Sequence, residues 1–229
     1  MPMHNDGMTE ARIAIEVART ASVLAAIPDT STHWLSDSEQ ARLAAIKVIA
    51  RREHYITGHW LVRLLLARSF GGEPAQWQLL ERKSNPPQVI GPFENLSVSI
   101  SHSQNWIAAA VANVSFGIDL EQRPRRLDVS IEHLLLNADE SPGQLDADTL
   151  LQRWVAKEAW IKSRCESALP ERLRQLHLQA SSDSNADVQI HSNEEWYLGI
   201  ARTNPCEIEL ICEVASIKGP GFDILDIHS

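Results

Sequence analysis

The apolar positions along the chain change period several times, and each change marks a different element. Ile13, Ile15 and Val17 alternate with other residues, which is the period of a strand. Ser36 and Glu39 then form a capping-box pattern ahead of Leu43, Ile46, Ile49 and Ala50, so a helix is predicted to start there. A second helical pattern, carried by Trp60, Leu61, Leu64, Leu65 and Arg68, runs to Gly71-Gly72 and Pro74, residues that stop helices. Pro86, Pro87 and Pro92 mark an exposed connection beyond it.

From Leu96 the period drops to two. Leu96, Val98 and Ile100 alternate with Ser97, Ser99 and Ser101, and this strand delivers His102 to its end. Trp106 to Val111 forms a second apolar run, and after Asn113 the residues Phe116, Ile118 and Leu120 alternate with Gly117, Asp119 and Glu121. A helical stretch is predicted at Ile131 to Leu136, a polar loop at Asp139 to Asp148, and a well-patterned helix from about Leu150 to Ser163. Leu173, Leu176 and Leu178 lie in a mixed segment, and Ser181 to Asp187 is rich in turn residues. Two alternating strands close the pattern, Trp196, Leu198, Ile200 and then Ile208, Leu210, Cys212, Val214. The order helix, strands, helix, strands occurs about twice, which predicts an α+β fold of two similar halves meeting near Asn113.

Length and composition narrow the class. A chain of 229 residues with 44% hydrophobic and 22% charged positions is globular in composition and long enough to bury a sizeable core. Its 21 basic residues against 30 acidic ones give a net charge of −9, which argues against a general nucleic-acid or anionic-membrane binder. Any phosphate must be met by local positive charge or a metal. Three cysteines, Cys165, Cys206 and Cys212, form no CxxC pair and suit a reducing compartment. The first ten residues carry no apolar signal core, and the longest uncharged stretch, Asn95 to Ile118, is too polar to span a bilayer, so a cytoplasmic protein is expected.

Asp119 and Glu121 stand two apart on a predicted strand and project from one face. Two carboxylates so placed repel unless a cation relieves them, and hard oxygen ligands suit Mg²⁺; the alternative is a solvated acidic face. On the later helix Trp154, Glu158 and Lys162 fall at i, i+4 and i+8, with Lys157 beside them, a spacing equally compatible with an ordinary surface Glu–Lys pair. His102, flanked by Ser101 and Ser103, is either a site residue or a structural histidine.

The combination and its order say more than any one of these. The segments Val98-Ser99-Ile100-Ser101-His102-Ser103, Phe116-Gly117-Ile118-Asp119-Leu120-Glu121 and Trp154-Val155-Ala156-Lys157-Glu158-Ala159-Trp160-Ile161-Lys162 closely resemble the hallmarks of the 4′-phosphopantetheinyl transferase superfamily. Upstream, Arg51, Arg52, Gly58 and the run Leu61 to Leu66 are similar to that family's first-half helix. The chain length resembles the Sfp-type monomeric branch rather than the half-length branch that trimerises.

The resemblance implies two α+β halves in a pseudo-two-fold relation, residues 1–113 with the Ser-His strand end and 114–229 with the metal strand and helix, and an active site in the cleft between them. It implies transfer of phosphopantetheine from coenzyme A to a serine of an apo acyl or peptidyl carrier protein, with release of adenosine 3′,5′-bisphosphate. Asp119, Glu121 and Glu158 would hold Mg²⁺, Glu158 is the candidate general base, and Lys162 would offset charge on the pyrophosphate. His102 and Ser101 would donate to phosphate oxygens, and Arg51 or Arg52 would meet the 3′-phosphate. A monomer without nucleic-acid or membrane partners is expected, docking its carrier through Arg123, Arg125 and Arg126 or through apolar contact. The alternative is a non-catalytic relative that binds coenzyme A or a nucleotide.

Two departures from the family pattern carry their own expectations. Relatives place a Gly-Lys-Pro or Gly-Arg-Pro turn before the Ser-His strand, whereas this chain reads Lys83-Ser84-Asn85-Pro86-Pro87, with Lys83 the candidate substitute. The usual Gly-x-Gly after the helix lysine is Cys165-Glu166-Ser167 here. Because side chains disfavour positive φ, the helix is expected to continue through Cys165 and to turn nearer Pro170.

Overall fold

The computed structural model describes residues 11–28, 32–83, 85–166, 170–183, 185–212 and 215–227. Its architecture is α+β. Strand β1 (Arg12–Arg19) leads into helix α1 (Thr20–Ala26), and helix α2 (Asp37–Ala45) begins at Ser36, where Ser36 and Glu39 form both bonds of the capping box. The expected single helix through Ile46, Ile49 and Ala50 is instead broken. Ile46 turns extended, with Val48 flanking a new helix α3 (Ile49–Phe70) in extended conformation. Arg52 secures the break by donating to the Leu43 carbonyl at 2.6 Å, an acceptor that also takes the Ile46 N–H at 3.2 Å.

Pro86 and Pro87 do not lie in a mere connection. They belong to β3 (Asn85–Ile90), which pairs with β2 (Gln78–Arg82) in a two-stranded hairpin outside the larger sheets, where proline costs no ladder bond. Next come β4 (Ser97–Ser103), β5 (Trp106–Ala112) and β6 (Phe116–Gln122). The helix expected at Ile131 to Leu136 is only a short α4 (Val129–Glu132), and α5 (Ala147–Ser163) starts three residues earlier than its apolar pattern, because Asp146 caps the Thr149 N–H at 2.8 Å. The chain ends with α6 (Pro170–Gln175) and strands β7 (Leu176–Ser181), β8 (Val188–Ser192), β9 (Trp196–Arg202), β10 (Glu207–Cys212) and β11 (Ile217–Asp226). Val214, placed in the last expected strand, lies outside the described residues.

Two main sheets result. One has the order β10-β1-β5-β4, with β10 parallel to β1; the other is antiparallel, in the order β6-β9-β8-β11-β7. Their apolar contacts form layers. Trp60, Leu61 and Leu65 of α3 pack with Val98, Ile107 and Ala109 on one face of the first sheet. Ile13, Ile15, Trp106 and Ala108 meet Ile118, Leu120, Trp196 and Leu198 between the two sheets. Val155 and Ala159 of α5 cover Val188, Ile190 and Tyr197 on the far side. Among the described residues no helix is long and apolar enough to cross a membrane.

Candidate active site

The serine alternation of β4 has a structural purpose that its period alone does not reveal. β4 and β6 belong to different sheets, yet Ser99 Oγ accepts the Ile118 N–H at 3.2 Å and Ser101 Oγ accepts the Leu120 N–H at 3.1 Å. Side-chain hydroxyls thus replace a backbone ladder and satisfy edge donors of β6. The same hydroxyls reach the carboxylates: Ser101 Oγ donates to Asp119 Oδ1 at 2.9 Å, and Ser103 Oγ donates to Glu121 Oε2 at 2.5 Å. Ser101 is therefore bonded to Asp119 and the β6 backbone in this structure.

Helix α5 brings the other two site residues against β6. Gly117 permits this, since a Cβ there would stand 2.3 Å from both the Ala159 carbonyl oxygen and the Ser163 nitrogen. Lys162 does not pair with Glu158, its neighbour one turn away. It crosses instead to Asp119 Oδ1 at 2.7 Å and to Ser101 Oγ at 3.3 Å. Asp119 Oδ2 is left buried without a hydrogen-bond partner, although the residue is only 5% exposed. Glu158 has no hydrogen bond or ion pair to the described residues; burial, then the charge of Asp119, raise its pKa to about 7, with Lys162 opposing and Glu121 adding to the rise.

These features fit a divalent cation. An orphaned buried carboxylate oxygen costs free energy unless something charged meets it, and Mg²⁺ is usually held by one or two carboxylates, with water and phosphate completing its shell. Asp119 Oδ2 and Glu158 are the open donors. Among the described residues no three His, Cys, Asp or Glu side chains are gathered so as to hold a metal between them, and both oxygens of Glu121 are engaged, by Ser103 and by Arg125.

Beside these carboxylates lies a cleft of about 1140 Å³, lined by residues between Arg42 and His102 and, from the end of α5 onward, by Lys162, Cys165 and Glu166. Arg42, Lys47, Arg51, Arg82, Lys83 and Lys162 face it, against Glu81 and Glu166, so a protein of net charge −9 concentrates positive charge here. Such a concave cationic surface suits a polyanion. Of the two candidate arginines, Arg51 lines the cleft, whereas Arg52 is turned to the end of α2. Lys83 also lines it; Ser84 lies outside the described residues.

His102 sits in the cleft with its ring stacked on His54, centroids 4.3 Å apart. The cleft walls enclose the ring on one side while the residue stays open to solvent on the other; that enclosure, then the charges of His54, Lys162 and Arg51, push its pKa down to about 4 despite Asp119. The histidine is neutral at pH 7 in the ligand-free protein. A neutral imidazole still donates one N–H to a phosphate oxygen, and the anionic acceptor makes that bond charge-assisted.

Sequence reasoning missed His54, Tyr55, His59 and Glu81. The first three fall with Arg51 on one stripe of α3, a polar period hidden because attention went to the apolar one. Behind the cleft, His59 Nδ1 bonds Glu39 at 2.6 Å, and Arg63 grips both oxygens of that carboxylate at 2.9 and 2.6 Å. Burial would raise the pKa of Glu39, but these bonds and charges outweigh it and hold it at about 2. Tyr55 donates to Glu81 at 2.7 Å on the cleft side. Lys157 is structural in position: fully buried, its ammonium donates to the Leu134 and Leu173 carbonyls at 2.8 and 2.9 Å. Burial, then the charge of Arg153, lower its pKa to about 7.

One expectation needs correction. Helix α5 ends at Ser163, and Cys165 adopts φ +55°, so the chain turns there and does not continue as helix; Ser167 lies outside the described residues. Cys165 and Glu166 donate N–H bonds to the Lys162 and Ile161 carbonyls, which closes the helix end around the left-handed residue. The basic trio is also less available than its sequence suggests. Arg123 bonds the Asn193 carbonyl and Asp148 and lies over Tyr197, Arg125 pairs with Glu121, and Arg126 is exposed.

The geometry can be set beside known proteins. A 4′-phosphopantetheinyl transferase of Bacillus subtilis is 24% identical over 180 residues, covering 70% of this chain and 79% of its own. The 4′-phosphopantetheinyl transferase psf-1 of Bacillus pumilus is 22% identical over 167 residues, covering 70% of each. No family model matches the chain. These similarities support a transferase of the phosphopantetheinyl transferase superfamily.

Proposed function

We propose that this chain is an Sfp-type phosphopantetheinyl transferase that moves phosphopantetheine from coenzyme A to a serine of an apo acyl or peptidyl carrier protein. The observation that carries this reading is the juxtaposition, through Lys162, of a cationic cleft with an orphaned buried carboxylate oxygen. Coenzyme A is a polyanion and suits the first feature; a divalent cation bound to its pyrophosphate suits the second. The alternative of a purely solvated acidic strand is disfavoured by the burial of Asp119 and Glu121 at 5% and 7% exposure.

In this mechanism Asp119, Glu158 and Glu121 would hold Mg²⁺, which would supply neutralisation of charge on the pyrophosphate. Lys162 moves between Asp119 and the phosphates. Arg51 and Lys83, on the cleft wall, meet the adenosine phosphates, and His102 donates an N–H to one of them. The carrier serine oxygen bonds the phosphorus that bears the pantetheine arm. The bond from that phosphorus to the bridging oxygen breaks, and adenosine 3′,5′-bisphosphate leaves. Glu158, where it is not taken up as a metal ligand, is the carboxylate placed to accept the serine proton, directly or through water.

The test is direct. Incubated with coenzyme A, Mg²⁺ and a panel of apo carrier proteins, the protein should add one phosphopantetheinyl group to at least one carrier, read by intact mass. Coenzyme A binding without mass gain on any carrier would favour the non-catalytic relative.

A further inference from the structure

Arg125 follows the acidic strand in sequence, on a stretch that forms neither helix nor strand, and its guanidinium pairs with Glu121 Oε1. Two residues earlier, Arg123 is fixed by Asp148 at 2.7 Å, by the Asn193 carbonyl at 2.8 Å and by the face of Tyr197. The loop is thus pinned at Arg123, while the Arg125 side chain remains 36% exposed and has water on its outer side. Glu121 is the reverse case. Its side chain is 10% exposed, and its second oxygen is held by Ser103.

Charge bookkeeping gives this pair a consequence. Asp119 and Glu121 bring two negative charges, and Lys162 and Arg125, paired with them, bring two positive ones. Adding a dication while both cations stay would leave the cluster net positive before any phosphate arrives. A dication that takes Glu121 Oε1 meets Arg125 already on that oxygen. Lys162 faces the cleft and has phosphate to turn to; Arg125 has only solvent.

Resting on the metal reading above, we propose that Arg125 is a resident counter-cation that holds Glu121 in the metal-free protein and competes with the divalent ion for it. It thereby sets how much cation the site needs. Arg125 touches no substrate in this scheme; it acts through Glu121.

Mn²⁺ binding to the purified full-length protein, followed by electron paramagnetic resonance and calorimetry at low salt without coenzyme A, tests the proposal. Arg125→Gln should tighten Mn²⁺ by about fivefold or more, because an exposed ion pair and a like charge near the dication are both removed. Arg126→Gln, which removes the same charge from the same exposed loop, should change affinity by less than about twofold. An unchanged or weakened affinity in Arg125→Gln, or an equal gain in Arg126→Gln, would overturn the proposal. Mn²⁺ binding by wild type that Asp119→Asn abolishes and Arg125→Gln leaves unchanged would sink the proposal and keep the site. Absence of Mn²⁺ binding in wild type and Arg125→Gln alike would sink both.

Discussion

Glu39 and Glu158 are the same residue type, the one fully and the other partly removed from water, and they have opposite properties. Glu39 is fully buried and accepts four hydrogen bonds, from His59, from two nitrogens of Arg63 and from the Ser36 N–H at 2.8 Å. Its pKa falls to about 2. Glu158 is half-buried, accepts none from the described residues, and rises to about 7 beside Asp119. Burial raises both; the partners decide the outcome. The Glu39 network is closed on its acceptor side, with only Arg63 Nε unpartnered, and it ties α2 to α3. The Glu158 region leaves one carboxylate and one Asp119 oxygen open, which is how a site waiting for a ligand differs from one completed by folding.

The contrast breaks most severely at Glu39. Glu39→Ala leaves Arg63 buried without its counter-charge and should cost about 3–5 kcal/mol in denaturant unfolding. A loss below about 1 kcal/mol would mean that the network is not what holds α2 to α3. Glu158→Gln should act in the other direction, and its effect should depend on pH. With a folded pKa near 7 against an ordinary 4.5, the unfolded chain ionises first as pH rises. Stability is therefore unaffected well below pH 4.5, falls between 4.5 and 7, and stays reduced above. In chelator-treated protein the glutamine variant should match wild type at pH 4 and exceed it by up to about 3 kcal/mol at pH 8. A pH-independent difference would refute the open-site description of Glu158.

Gly117→Ala tests the approach that brings α5 to the acidic strand. Its methyl would meet backbone atoms at 2.3 Å, so helix and strand must part, at about 1–3 kcal/mol and with weakened Mn²⁺ binding. Wild-type values for both would mean that the close contact is not needed. The smallest effect belongs to Cys165→Gly at the helix exit. Glycine removes the cost of a left-handed side-chain-bearing residue, and the variant should gain from a few tenths to about 1 kcal/mol in thermal unfolding. A loss of stability would place the helix end elsewhere.

How much of this was legible in the sequence differs between the two regions. The strand that carries Asp119 and Glu121, the Ser36 capping box and the helix that carries Glu158 and Lys162 follow from period and spacing, because apolar residues recur on one face of the strand and one face of the helix. The α2–α3 break was not legible, since the Arg52 bond that stabilises it links residues whose spacing also suits a continuous helix. The β2–β3 hairpin was hidden by its prolines, and β11 by Gly219, Pro220 and Gly221. Within the site, the carboxylates could be named as a group, but not that Lys162 would choose Asp119 over Glu158, nor that Arg125 would take Glu121. Those choices depend on distances across elements. Glu39 was legible as a cap and illegible as the anchor of Arg63, a partner 24 residues on. Cys165 misled because residue-type preference was allowed to decide a turn that the surrounding hydrogen bonds fix.

Transfer by wild type and by Asp119→Asn, compared at equal folded fraction with coenzyme A, Mg²⁺ and apo carrier protein and read by intact mass, tests the site most directly. Wild type should add one phosphopantetheinyl group, and the variant, deprived of the open carboxylate, should slow by roughly a hundredfold or more. Equal rates in the two proteins would contradict the site assigned to this chain.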